Sequence, residues 1–245
     1  MDIYYASGSD NTGLNLTVPD GAPSGPISVT TVGGTSAVFS VSLSGLGATA
    51  TSGTPANAAV ASANPGQTIT VNGTGLDVST EVIFEVVDSS SAIGRGQWTV
   101  RPSTVNAGGT QAQVLVPMNA VTGAVRLVGD TTASAVALQI VPVVSGVDVN
   151  SVDSYGTSAA VTLSGYGFIE GNNTEYVFGT VAITDGSGGA GPDVGDPYDY
   201  GGGFYRYNGS SYMTVPWSDA AFGPIVVKTA GGVSAPFTVS LSSVT

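Results

Sequence analysis

A glycine-rich stretch with four aspartates is the part of this 245-residue chain best suited to chemistry. Residues 185–209 read DGSGGAGPDVGDPYDYGGGFYRYNG. Their aspartates are Asp185, Asp193, Asp196 and Asp199. Calcium binds oxygen ligands on flexible loops, so these carboxylates are a candidate calcium site. Because the spacing matches neither the EF-hand loop nor the glycine-rich nonapeptide repeat, a solvated acidic loop stays open as the favoured alternative.

Aromatic side chains are concentrated in the same stretch. They are Tyr198, Tyr200, Phe204, Tyr205 and Tyr207. Aromatic rings on a loop stack on sugar rings or anchor a protein interface, so this loop is a candidate surface for a polysaccharide or a protein partner. The alternative is a hairpin that packs its own aromatic rings against the edge of a β-sandwich. Tyr4 and Tyr5 precede the first repeat in a similar way, which favours a structural role.

Missing residue types exclude several classes of function. The chain has no Cys and no His, which excludes disulfide scaffolds, thiolate and imidazole metal sites, and histidine-based triads. Five Lys and Arg against 17 Asp and Glu give a net charge of −12, so we expect no nucleic-acid binding. Chance carboxylate pairs are expected, and no cleft is indicated. We therefore predict that the protein is not an enzyme and requires no cofactor. No apolar run is long enough to predict membrane insertion.

The elements that carry these residues are repeated along the chain. Val-Pro pairs begin at Val18, Val116 and Val215, with spacings of 98 and 99 residues. A glycine follows each proline after six or seven residues, and an alternating apolar strand follows the glycine. Such a period predicts an array of similar structural units.

A second motif lies at the front of the two later units. Gly73-x-Gly75 and Gly165-x-Gly167 are 92 residues apart. Both follow short strands with alternating apolar residues, which are Ile69 and Val71 in one and Val161 and Leu163 in the other. Alternation with a period of two predicts strands with one packed face and one solvated face. Glycine permits a bulge or turn at this point. About seven short strands per unit, with turns between them, predict an antiparallel sandwich with minimal helix.

The ordered motifs resemble the IPT/TIG family, the immunoglobulin-like domains named for plexins and transcription factors and common in large bacterial surface proteins. The last unit matches best, in GTSAAVTLSGYGF, MTVP and FGPIVVKTAGGVSAPFTV. The middle unit matches in PGQTITVNGTGL and TGAVRLVG but lacks the late Gly-Gly. The resemblance covers nearly the whole chain. It implies an immunoglobulin-like β-sandwich that serves as a stalk or interaction module, and it does not imply an enzyme.

The first unit is incomplete, because its Val-Pro pair comes at residue 18, whereas Gly-x-Gly precedes Val-Pro by 43 and 50 residues in the other units. We therefore expect residues 1–44 to hold only the back strands of a sandwich. A flexible linker is predicted over 45–54, followed by sandwiches over 55–142 and 143–245, the last with the insertion 185–209. The predicted fold class is all-β, with tandem immunoglobulin-like β-sandwiches, two complete and one N-terminal partial.

Half a sandwich leaves an apolar face and open strand edges. Truncation of a longer chain is one explanation. Completion by strands from another subunit, or from an upstream part of the same protein, is the other. Completion by another subunit is a heterologous contact, which propagates into a filament unless it closes into a ring.

These observations together predict a non-enzymatic structural protein, outside the cell or on a bacterial cell surface, that serves as a stalk, sheath or filament subunit. Its partners would be other copies of itself or the rest of a larger surface protein. One alternative is a glycan-binding or adhesion module that uses the tyrosine-rich loop. Another is a phage virion decoration or tail protein, since the residues after Met1 lack the basic start and apolar run of a signal peptide.

Overall fold

The computed structural model describes residues 26–87, 95–130, 132, 134–169, 174–185, 193–194, 210–218 and 221–239. These residues form strands and turns without an α-helix, which confirms the predicted all-β fold class. Within these ranges, no helix is long and apolar enough to cross a membrane.

The first twelve strands are β1 (Thr30–Thr31), β2 (Gly34–Thr35), β3 (Ser42–Gly47), β4 (Thr54–Pro55), β5 (Ser62–Ala63), β6 (Thr68–Thr74), β7 (Val82–Val87), β8 (Arg95–Val100), β9 (Thr104–Val105), β10 (Gln111–Leu115), β11 (Gly123–Leu127) and β12 (Val136–Ile140). The others are β13 (Val143–Val152), β14 (Ser158–Tyr166), β15 (Thr174–Phe178), β16 (Val181–Asp185), β17 (Asp193–Val194), β18 (Ser210–Pro216), β19 (Ile225–Thr229) and β20 (Gly232–Val233).

Two of the sheets enclose one core, and we call this body the central sandwich. One sheet has the order β3-β6-β10-β9 and the other β5-β12-β11-β7-β8. The alternation seen in the sequence explains the packing, since Ile69 and Val71 of β6 and Val114 of β10 are buried while their neighbours are more exposed. Phe84 on β7 of the opposite sheet belongs to the same core.

A second pair of sheets forms the C-terminal sandwich. The sheets have the orders β13-β14-β18-β17 and β16-β15-β19-β20-β4. Leu163, Tyr176 and Val227 are among the residues fully buried between them. The ring of Phe168 meets that of Tyr176 edge to face, with centroids 6.1 Å apart. The immunoglobulin-like assignment of both bodies stays a prediction.

The two Gly-x-Gly motifs permit a close approach of neighbouring strands. A Cβ atom on Gly73 would collide with the carbonyl oxygen of Ser42, and one on Gly165 with that of Val143. The first strand of each sandwich has a register shift beside the motif, between Leu43 and Gly45 and between Val144 and Gly146. The prediction that these glycines permit a bulge is confirmed.

The predicted linker over residues 45–54 is wrong at both ends. Residues 45–47 lie in β3 and pair with β6, and Thr54 lies in β4, which pairs with β20 of the C-terminal sandwich. Between these strands, the N–H of Ser52 donates to Asn64 Oδ1 at 2.8 Å. Composition does not separate the two cases, because a Gly- and Ala-rich segment occurs as flexible chain and also, through backbone hydrogen bonds, as a paired strand.

The predicted boundary at residue 44 falls inside β3. Val41 and Leu43 are buried in the core of the central sandwich. The N–H of Leu43 donates to the buried carboxylate of Asp130 at 3.2 Å, and the N–H of Val41 donates to the carbonyl of Gly129 at 3.2 Å. The central sandwich therefore begins at Val41. The preceding described residues form a hairpin outside its core, with the side chains of Ile27 and Phe39 beside Gly129 of the central sandwich.

Candidate functional site

The predicted calcium ligands are not brought together within the described residues. Asp185 is buried at the end of β16, opposite Thr174 of β15. The backbone of Asp193 pairs with that of Tyr212, while Asp196 and Asp199 lie outside the described residues. Among the side chains that the structure describes, no group of three or more acidic residues is placed to hold a metal ion. Calcium binding stays a prediction.

The predicted aromatic surface also stays a prediction. All five of its residues lie outside the described part of the chain: Tyr198, Tyr200, Phe204, Tyr205 and Tyr207. The described residues instead show two apolar surfaces that the sequence analysis did not single out. One is a hairpin near the start of the described chain, and the other is a groove in the C-terminal sandwich.

The chain holds two copies of one hairpin. The N-terminal hairpin spans residues 27–39 and contains β1 and β2, while the C-terminal hairpin spans residues 225–237 and contains β19 and β20. Equivalent residues are 198 positions apart, since Ile27 bridges Phe39 and Ile225 bridges Phe237. The sequence shows the repeat, and the structure shows that both copies have the same backbone pairing.

The two hairpins share their hydrogen bonds. The N–H of Val29 donates to Ser36 Oγ at 3.0 Å, and the N–H of Val227 donates to Ser234 Oγ at 3.0 Å. At the turn, the N–H of Gly33 donates to Thr31 Oγ1 at 3.2 Å, as does that of Gly231 to Thr229 Oγ1. The local sequence therefore specifies the same hairpin twice.

The surroundings of the two hairpins differ. Ile27 and Val29 are 41% and 47% exposed, whereas Ile225 and Val227 are 7% and 0% exposed. In the C-terminal copy, Val227 pairs with Tyr176 of β15, and the strand packs in a core with Met213 and Val215. The N-terminal copy therefore presents a face whose equivalent is covered elsewhere in the same chain.

The turns of the two hairpins differ in the same way. A Cβ atom on Gly231 would collide with the carbonyl oxygen of Ile140 and approach Thr122 Oγ1, because this turn packs against the end of the central sandwich. Within the part of the chain that the structure describes, a Cβ atom on Gly33 would meet only Thr31 Oγ1, at an ordinary 3.6 Å. Only the turn with Gly231 requires glycine for close contact with another unit.

The second surface is an apolar groove of about 410 Å³ in the C-terminal sandwich. Its lining includes Val149, Val161, Val215, Trp217, Phe222 and Val239. The ring of Trp217 meets that of Phe222 edge to face, with centroids 5.2 Å apart. None of the described residues that line the groove is charged. Such a surface favours an apolar or uncharged occupant.

The course of the first strand explains why this groove is open. In the central sandwich the chain leaves β3, crosses between the sheets and forms β5, which pairs in parallel with β12. Ala48 and Ala61 pack against the core along this path. In the C-terminal sandwich, β13 instead continues along β14 for ten residues, and no described residue takes the place of β5.

Equivalent residues of the two sandwiches differ in exposure beside the groove. Val125 pairs with Val136 in the central sandwich, and Ile225 bridges Phe237 in the C-terminal one. Leu138 and Val239, each two residues further on, are therefore equivalent. Leu138 is 2% exposed and Val239 is 72% exposed. The position that the crossing segment covers in one sandwich is open in the other.

The N-terminal hairpin and the described lining of the groove contain no charged residues, unlike the rest of this acidic chain. The net charge is −12, yet residues 26–39 contain no Asp, Glu, Lys or Arg. The ion pairs between described residues lie elsewhere, as in Arg101 with Glu81 at 2.7 Å and Lys228 with Glu175 at 2.9 Å. Contact between the hairpin and the groove would therefore desolvate no charge on either lining.

A polar turn at one end of the C-terminal sandwich has a strongly shifted carboxyl group. The hydroxyl and the N–H of Thr157 donate to the carboxylate of Asp153, and the hydroxyl of Ser158 donates at 3.0 Å. These bonds, chiefly that from the Thr157 hydroxyl, lower the pKa of Asp153 to about 2. This arrangement closes the turn between β13 and β14 and offers no catalytic base at neutral pH.

No protein-family model matches this chain, and no curated protein is similar to it. The resemblance to IPT/TIG domains therefore rests on the sequence motifs.

Proposed function

We propose that this protein is a non-enzymatic extracellular structural protein, a stalk, sheath or filament subunit that assembles through its N-terminal hairpin. The single observation that carries the proposal is the exposed face of Ile27 and Val29, whose equivalents in the C-terminal hairpin are buried. The assembly would cover this face as the C-terminal sandwich covers its own copy.

The energetics favour covering this face. Burial of a Val or Ile side chain stabilises a structure by roughly 1.5–3 kcal/mol relative to full exposure. Val29, Val38 and Phe39 are exposed together on one short hairpin. Association also costs several kcal/mol in lost translational and rotational freedom. The hairpin must therefore gain contacts with more than one of its side chains, which requires a shaped partner surface.

The join between the two sandwiches supports a mechanical role. Strand β4 comes from the chain that precedes the central sandwich's β5, yet it pairs with β20 of the C-terminal sandwich. The N–H of Ala56 also donates to the carbonyl of Gly231 at 3.2 Å. Backbone pairing of this kind couples the two bodies without a long connector, which suits a spacer.

The test is the native mass of the purified chain as a function of concentration, measured by light scattering, with particle shape from negative-stain microscopy. We expect polymers of the 24.1 kDa chain. The Val29→Asp variant should abolish them, because a charge on the hairpin face opposes burial. Leu115→Asp is the matched control, since Leu115 is similarly exposed but lies on β10 of the central sandwich. A monomeric wild-type chain at all concentrations would refute the proposal.

A further inference from the structure

We infer that the apolar groove of the C-terminal sandwich is the docking site for the N-terminal hairpin of a second copy, so that copies join head to tail. This inference rests on the proposed function and deepens it, since it names the acceptor surface. Its donor is the hairpin of residues 27–39, and its acceptor is the groove lined by Val149, Phe222 and Val239.

A contact between the C-terminal hairpin and the central sandwich is a precedent for this docking. The turn of the C-terminal hairpin places Gly231 against Thr122 and Ile140 at the end of the central sandwich. Thr122 directly precedes Gly123, and Phe222 directly precedes the equivalent Gly223. Phe222 is thus the counterpart of Thr122 at the end of the C-terminal sandwich. The turn of an N-terminal hairpin placed on Phe222 would repeat the contact that already joins the two sandwiches.

The N-terminal turn has the features that this contact requires. Gly33 is equivalent to Gly231, and among the described residues only Thr31 of its own turn lies within 4 Å of where its Cβ atom would be. Val32, beside it, is fully exposed. An exposed valine next to a glycine offers an apolar side chain at a point where the backbone is accessible to a neighbour.

The groove has the features that the hairpin requires. In the central sandwich, the segment between β3 and β5 packs small apolar side chains against the core, among them Ala48 and Ala61. Val239 and Val149 face the open space in the C-terminal sandwich. Valine side chains from a second copy would supply apolar groups of the same kind without an unpaired charge.

The arrangement has a consequence for symmetry. The hairpin and the groove are different surfaces on the same chain, so their contact is heterologous and extends into a chain of copies. A contact of hairpin with hairpin, or of groove with groove, would stop at a dimer. The two types of assembly are therefore separable by mixing variants.

The experiment uses two single variants of the full chain. Val29→Asp damages the donor and leaves the groove intact, whereas Val239→Asp damages the groove and leaves the donor intact. We expect each variant alone to be monomeric by light scattering. We expect an equimolar mixture to form dimers of about twice 24.1 kDa and nothing larger, because only one intact donor and one intact acceptor meet. Val152→Asp is the control for the acceptor, since Val152 is an exposed valine of β13 outside the groove.

The outcomes separate this inference from the proposed function. Polymers of Val239→Asp that equal those of the wild type, with monomeric Val29→Asp, would overturn the groove assignment and leave the proposed function standing. Two monomeric variants whose mixture stays monomeric would also overturn it. A changed melting temperature of Val239→Asp with an unchanged mass would mean that the chain covers its own groove, which again overturns the inference. A monomeric wild-type chain overturns both.

Discussion

Val29 and Val227 occupy the same position in two copies of one hairpin, and each N–H donates to a serine Oγ at 3.0 Å. Val29 is nevertheless 47% exposed, whereas Val227 is fully buried. The backbone of this hairpin thus forms with its apolar face covered or uncovered. Local hydrogen bonds specify the hairpin, and packing adds stability only where a second sheet is present.

The two valines therefore predict different costs for one substitution. Val227→Ala should lower the free energy of unfolding of the C-terminal sandwich by about 2 kcal/mol, from lost burial and the cavity that remains. Val29→Ala should change the free energy of unfolding of the monomer by less than about 0.5 kcal/mol. Urea unfolding at low concentration, where assembly is absent, measures both. Equal costs would show that Val29 is covered in the monomer.

The glycine turns give a second matched pair. Gly231→Ala should destabilise the join between the two sandwiches by roughly 1–3 kcal/mol, because its Cβ atom collides with the Ile140 carbonyl oxygen. Gly33→Ala should leave the stability of the monomer unchanged or slightly raised, since its Cβ atom has room. Thermal unfolding of the two variants gives the comparison. A loss of stability in Gly33→Ala would contradict the open surroundings of that turn.

The strands of both sandwiches were predictable because side-chain alternation reports burial directly. Ile69 and Val71 were predicted to share one face of a strand, and both are buried. The bulge opposite Gly73, between Leu43 and Gly45, was predictable from the glycine motif, because a larger residue at Gly73 would collide with the neighbouring strand. These features depend on a few residues close together in the sequence, which pattern reading captures.

Neither the open groove nor the strand pairing of residues 45–47 and 54 was predictable from such patterns. Whether the first strand of a sandwich crosses to the opposite sheet, as before β5, or continues, as in β13, depends on long-range backbone pairing. The burial of Asp130 also lacks a sequence signal, since this residue is one acid among 17. The sequence repeat did indicate that residues 27–39 and 225–237 form equivalent hairpins. It did not indicate that Val29 is exposed while Val227 is buried.

Asp130 predicts a local effect at the start of the central sandwich. Its carboxylate accepts hydrogen bonds from the N–H of Leu43 at 3.2 Å and from the N–H of Thr132 at 2.8 Å. Asp130→Ala would leave these donors unpaired at a cost of about 1–3 kcal/mol. Amide hydrogen exchange should accelerate at Leu43 and stay unchanged at Val114 in the core. Unchanged protection at Leu43 would show that Asp130 does not fix this segment.

The turn at Asp153 predicts a dependence on acid. Its folded pKa, near 2, lies below the ordinary value of 3.8, because the ionised carboxylate accepts bonds from Thr157 and Ser158. The stability from this carboxylate is therefore complete above the unfolded pKa and is lost as the pH falls through about 2. Asp153→Ala should have a lower melting temperature than the wild type at neutral pH, and the difference should shrink in strong acid. A difference that is constant with pH would exclude a role for the charge.

The absence of cysteine from the chain makes the proposed contact testable by cross-linking. Val32→Cys and Val239→Cys place one thiol at the hairpin tip and one at the groove. Oxidation of an equimolar mixture should give disulfide-linked dimers that contain one copy of each variant, since a disulfide requires Cα atoms within about 7 Å. The chain that carries both substitutions should give a ladder of covalent oligomers, because each copy then has a donor and an acceptor. Val152→Cys replaces Val239→Cys in the control mixture, and equal cross-linking there would show random collision instead of a specific head-to-tail contact.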